Sequence, residues 1–362
     1  MSAGCGIFWL PAAGQAVMAR PDQHALNPSF QAVFKGALDA HTIEPNGEVI
    51  FEVGMTGGQG TNDSKLGYYD GVKVDASVTG NAAIGVLPTY FYLFDSTDNR
   101  RDITCGPYEV NSNLSTLKGH PITTISEAKF RRDWISNPSE LSSSGQYYGV
   151  DWPLIRFSDV LLMFAEADNE INQGPSAADI AAFEQVRARA YGGNKALIGT
   201  TPTDYVGFFN AIVKERSLEF GGEGVRKFDL IRWNLLGARL ADAKTNLTNL
   251  AARTGTFTGN YANNTLNFST LPDSTFYNST TSTIANEVQW ETSFYVPRTV
   301  SITAMTGYKE VAWVTSTIAG VLSASGSSNG FAYDFKPNHS ELLPIPEAAI
   351  EADYNLIQDY GY

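Results

Sequence analysis

A mainly helical fold, with helix pairs set between long irregular loops and only minor β-structure, is what the sequence predicts. Three observations lead there. Between residues 154 and 252, apolar side chains recur at helical spacing in successive segments punctuated by glycine and proline. Residues 54–85, 103–150 and 255–340 are rich in Gly, Asn, Ser, Thr and Tyr, a composition of loops. Strand-like alternation stands out at Glu48–Val53, just after the Asn46-Gly47 turn signal.

Taken in order, Asn27–Ala40 reads as a short helix, with Phe30, Val33, Phe34 and Ala37 on one face. Residues 86–94 form an apolar, aromatic run. A long helix is expected from about Leu154 to Asn172; it is apolar on nearly every side at Val160–Ala165, as in a buried helix, and Gly174-Pro175 ends it. Ala177–Ala190 follows, with Ser176 and Asp179 at capping-box spacing. A third helix spans about Thr203–Phe220, entered through Thr201-Pro202. Gly221–Gly224 breaks it, Val225–Leu236 resumes, and residues 240–252 supply a fifth. Helix pairs of this size suggest the tetratricopeptide-like class, although no clean repeat of about thirty-four residues is found. The chain divides into a ragged segment 1–26, a loop-rich, ligand-facing segment 27–153, a helical core 154–254 and a loop-rich segment 255–362.

A 43% hydrophobic content supports a large core, and 12% aromatics with only 17% charged residues suggest a polar, aromatic-bearing surface. The net charge of −13 argues against a nucleic-acid partner, which needs a basic face. Cys5 and Cys105 read as two ordinary thiols. His24, His41, His120 and His339 fall in no metal-ligand spacing. Gly326–Gly330 matches Gly-x-Ser-x-Gly, but in a Ser/Gly stretch without the strand and helix a nucleophile elbow needs. No P-loop or dinucleotide fingerprint occurs, and no metal or cofactor is expected. No run of eighteen apolar residues occurs either.

Charges inside the helical segment carry more information. Arg216 lies on the apolar stripe Tyr205, Phe208, Phe209, Ile212, Val213, where an unpaired charge is very costly. Arg156, Asp159 and Glu166 fall on the first long helix, and Glu219, Arg226, Asp229 and Arg232 follow Arg216. These eight are expected to form an internal ion-pair network. Two readings compete, a catalytic carboxylate pair and helix-to-helix stapling. Stapling is preferred because no nucleophile, metal set or placed histidine accompanies the acids. In or beside the polar loops lie Tyr68, Tyr69, Trp134, Tyr147, Tyr148 and Trp152, whose rings can stack on sugars while nearby polar groups bond hydroxyls. The first five are the candidate ligand-binding residues.

Three stretches together resemble the SusD/RagB family. Leu154–Ala167 is similar to that family's "LIRYAEVLLMYAEA" helix, and Lys214–Trp233 matches "ERxxELxxEGxRxFDLxRW" with one additional residue in the glycine-rich break. Leu343-Pro344-Ile345-Pro346, then Asn355 and Gln358–Tyr362, is similar to "PIP…NP…QNPGY". Asn46–Phe51 and Asp98–Asp102 are weaker echoes. The resemblance implies a SusD-like fold and a non-enzymatic lipoprotein on the cell-surface side of the Bacteroidetes outer membrane. It implies that such a protein binds starch-type or other glycans and delivers them to a TonB-dependent SusC-like transporter. A peptide-binding RagB-like member is the alternative, and a glycoside hydrolase the remoter one. It also implies a lipoprotein signal and further N-terminal helices, so the chain reads as the C-terminal two-thirds of such a protein.

Overall fold

The computed structural model describes residues 10–58, 62–74, 80–260, 264–297, 306–323 and 330–358. Cys5, the Gly-x-Ser-x-Gly sequence as far as Asn329, and residues 359–362 of the C-terminal motif lie outside the described residues.

Among the described residues helices dominate, joined by long loops and five small two-stranded antiparallel sheets. The main helices are α1 (Leu10–Met18), α2 (Phe157–Asn172), α3 (Ala177–Ala190), α4 (Tyr205–Glu219), α5 (Arg226–Arg232) and α6 (Leu236–Ala252). Segment 1–26, expected to be ragged, instead supplies α1, whose Gly14 passes so close to α2 that an added Cβ would meet the Phe164 Cβ at 3.1 Å. Asn27–Ala40 is a single α-turn, Phe30–Val33, running into a π-turn, Phe34–Leu38. The Ser176–Asp179 box caps α3 in both directions. At α4 the N-cap is Asp204, which accepts from the Gly207 N–H.

The first long helix starts later than its apolar spacing suggests. Residues 152–156 are extended and form β2 (Trp152–Arg156), paired antiparallel with β1 (Val49–Val53). Pro153 disfavours helix at the residue before it. The Phe157 N–H bonds the Glu48 carbonyl at 2.6 Å, so pairing with β1 decides the boundary.

Three large apolar clusters surround these elements. Leu161, Leu162, Phe183, Val186, Phe208 and Ile212 fill the space between α2, α3 and α4. Phe30, Phe34, Phe130, Trp134 and Tyr148 form a second. Phe91, Phe94, Leu247, Phe268 and Trp313 form a third, beneath α6. Cys105 is buried in this third cluster as a free thiol, and burial pushes it far above the usual thiol range.

The glycine-rich break between α4 and α5 has a specific task. Gly222 and Gly224 take φ of +83° and +77°, which side chains rarely adopt. A Cβ on Gly222 would sit 2.3 Å from the Glu127 Oε1. The turn this permits lifts Glu223 off the helix line and aims it between Lys129 and Arg156. Gly222→Ala is expected to destabilise the fold by roughly 2 kcal/mol or more, from a strained φ and a clash together. Urea denaturation of both proteins measures it.

Candidate functional site

Two networks of charged groups tie the helices together. In the larger, five carboxylates meet five cations. Arg156 binds Glu223 through a two-bond fork, Nε to Oε2 and Nη2 to Oε1, both 2.8 Å. Its Nη1 reaches Glu48 at 2.8 Å and Glu219 at 2.9 Å. Arg189 bridges the same two acids, at 2.9 Å and 2.5 Å. Arg100 forks onto Asp98 and donates to Glu215 at 2.6 Å and Glu219 at 3.2 Å. Arg187 holds the other oxygen of Glu215 at 2.8 Å, and Lys129 bonds Glu223 at 2.6 Å.

None of these ten side chains is more than 3% exposed. A buried ion is tolerable only with charge balance and hydrogen bonding; the set balances its charges and bonds nearly all of its polar atoms, the Arg189 Nε excepted. Burial would raise Glu219, yet Arg189, Arg156 and Arg100 outweigh it and hold the group far below the usual carboxylate range. Glu215 and Glu223 are likewise lowered, against burial, by Arg100 with Arg187 and by Arg156 with Lys129. For Lys129 burial wins and the ammonium is lowered. The rings of Phe30 and Phe34 lie 5.0 Å and 4.9 Å from its Nζ, so aromatic faces close the network on that side.

The second network runs Asp159–Arg216–Asp229–Arg232–Glu166. It ties α2 to α4 and α5, and the Trp233 indole N–H adds a bond to Glu166 at 2.7 Å. Of the eight residues placed in one network by sequence, Arg156 and Glu219 fall in the first and Asp159, Glu166, Arg216, Asp229 and Arg232 in the second. Arg226 is the correction. It meets no carboxylate of the first long helix and donates instead to the Val213 carbonyl at 2.7 Å, because Asp229 is already taken by Arg216 and Arg232. Glu48, Asp98, Arg100, Lys129, Arg187, Arg189, Glu215 and Glu223 were missed. Arg187 carried a readable signal, since it follows Phe183 by four residues on an apolar helix face.

The aromatic candidates separate just as clearly. Trp134 is 5% exposed, with the Arg131 guanidinium 3.8 Å from its ring centre. Tyr148 is fully buried; its hydroxyl donates to the Gly145 carbonyl at 2.9 Å and accepts from Arg132 at 2.8 Å. Both are corrections to the ligand-binding expectation, because neither ring offers a face to solvent. Tyr68 is half-buried and props Tyr69 edge-on, 4.8 Å between ring centres. Tyr69 and Tyr147 are exposed, at 40% and 42%.

Tyr69 lines an open cleft of about 440 Å3 together with Val53, Met55, Lys65, Asp70 and Trp152. Trp152 is held by stacking on Phe130 at 5.1 Å, and Lys65 reaches over the Tyr147 ring at 5.2 Å. The loop forming one wall is fixed by Asp63, whose carboxylate accepts from the backbone N–H groups of Thr56, Gly57 and Gly58 at 2.8–2.9 Å. Burial raises Asp70 to about 6. The cleft surface is almost wholly apolar, with Lys65 and Asp70 among the residues that line it. Among the described residues no cluster of His, Cys, Asp and Glu is arranged to hold a metal ion.

Comparison with known proteins gives the lineage. The family model described as "SusD family" matches residues 108–362. A SusD homolog from Bacteroides thetaiotaomicron superposes with a TM-score of 0.66 at 19% identity, over 98% of this chain and 59% of that one. A surface glycan-binding protein A from Bacteroides uniformis superposes with a TM-score of 0.51 at 16% identity, over 98% and 57%. A SusD-like protein, P25, from Formosa agariphila is 41% identical over 83 residues, 23% of this chain and 15% of its own. The chain thus spans less than two-thirds of the relatives it matches.

Two outcomes are expected. Arg156→Met leaves Glu48, Glu219 and Glu223 short of a buried partner and should cost about 3–5 kcal/mol of stability, read by urea denaturation. For Asp70 the folded pKa of about 6 exceeds the unfolded value of about 3.9, so its contribution is complete below the lower value and lost as pH rises through the upper one. Relative to Asp70→Asn, the parent protein should lose stability between pH about 4 and about 6; parallel urea midpoints across that range would contradict this.

Proposed function

This chain belongs to the SusD family, and from that premise we propose that it binds an oligosaccharide without chemical turnover and passes it to a SusC-like, TonB-dependent transporter at the outer-membrane surface. The observation that carries the binding half is the open cleft lined by Tyr69 and Trp152 together with Lys65 and Asp70. Sugar rings present apolar C–H faces bordered by hydroxyls, which matches rings bordered by an acceptor and a donor. The structural relative from Bacteroides uniformis, a surface glycan-binding protein, supports the same ligand class.

Non-catalytic binding is favoured by the state of the acids. Hydrolysis of a glycosidic bond uses two carboxylates facing the bond across a cleft. Glu219 is enclosed by Arg156, Arg189 and Arg100, and Asp229 by Arg216 and Arg232. Among the described residues no helix is long and apolar enough to cross a membrane. In our reading the full-length protein is held at the surface by a lipid anchor.

Isothermal titration against a panel of neutral oligosaccharides tests the proposal. Tyr69→Ala, an exposed position, should weaken binding about tenfold, the scale of a lost aromatic contact, without lowering the unfolding midpoint. Absence of binding to every glycan offered, with the protein folded, would refute it.

A further inference from the structure

The second large cavity lies away from the Tyr69 cleft, between α4, α5, α6 and the 87–93 segment, and measures about 620 Å3. That is within the range of small-molecule sites. Its wall is apolar at Leu93, Leu230, Leu240, Phe257 and Phe331. Into it comes Arg226, the motif arginine without a carboxylate partner. Nη1 is occupied by the Val213 carbonyl, and neither Nε nor Nη2 bonds any described residue. Burial lowers this guanidinium to about 10, outweighing the Tyr90 hydroxyl and the Asp229 carboxylate nearby, which act to raise it. The remaining charged groups on the wall are Lys214, which burial lowers to about 7, and the Arg239–Asp242 ion pair.

We infer that this cavity is a binding site for a small organic carboxylate with an apolar body, whose carboxylate takes the free Nε/Nη2 edge of Arg226 while its body lies against Leu240 and Phe257. A guanidinium edge matches a carboxylate in a two-bond fork, and the low-dielectric wall strengthens that bond. A neutral ligand of the same shape gains the apolar contacts only. The site is separate from the glycan cleft, and its fate does not depend on that reading.

Phenylacetate and its neutral isostere phenylacetamide are the probes, titrated against the whole chain by ligand-observed NMR and calorimetry. Phenylacetate should bind about tenfold more tightly, since charge-assisted pairs are roughly twice as strong as neutral ones. Arg226→Met keeps the side-chain bulk and should bring the two probes to equal affinity. Ala243→Trp, on the cavity wall, should abolish both and leave glycan binding unchanged. Either variant suffices if the other fails to fold. Equal binding of the two probes by the parent protein, a preference retained in Arg226→Met, or no binding of either probe would each overturn the inference.

Discussion

The guanidinium of Arg156 touches three carboxylates from distant parts of the chain, Glu48, Glu219 and Glu223. It stands at the junction of β2 and α2, and its extended backbone is what separates the strand from the helix. The contact depends on local devices at both ends. β1 carries Glu48 beside Arg156 by strand pairing, and the left-handed glycine turn brings Glu223 back toward it. The backbone irregularities of this region, a late helix start and a two-glycine kink, are thus what the polar centre requires of the chain.

Much of the helical architecture was legible because helical periodicity and capping are local. The Ser176–Asp179 box and the burial of Arg216 on an apolar stripe followed from spacing alone. The boundary at Leu154 was not legible, since helical spacing continues through residues that the strand at 49–53 captures. Glu48, Arg100 and Lys129 were unreadable for the same reason: nothing local marks a charge in a strand or loop as bound for the interior. The Asn46–Phe51 and Asp98–Asp102 echoes of the SusD/RagB pattern contain Glu48, Asp98 and Arg100, so those short matches were tracing this centre.

The candidate cleft shows the limits of loop composition as a guide. A polar, tyrosine-rich stretch suggests exposed rings, but exposure is decided by what stands next to each one. Arg131 and Arg132 draw Trp134 and Tyr148 inward by stacking and hydrogen bonding. Tyr69 meets Tyr68 edge-on and Tyr147 meets the Lys65 ammonium, contacts that leave both rings exposed. Trp152 lines the cleft because strand pairing sets it opposite Val53.

The ten-member ionic centre also constrains how the molecule assembles. Cut between residues 153 and 154, the chain would leave Glu48, Asp98, Arg100 and Lys129 on one fragment and Arg156, Arg187, Arg189, Glu215, Glu219 and Glu223 on the other. Each fragment would be electrically neutral in these groups, yet half of the ion pairs bridge the cut. Either piece alone would leave part of its buried ions without their partners, which disfavours forms in which only one of them is ordered. Two such fragments, mixed, have a built-in reason to find each other.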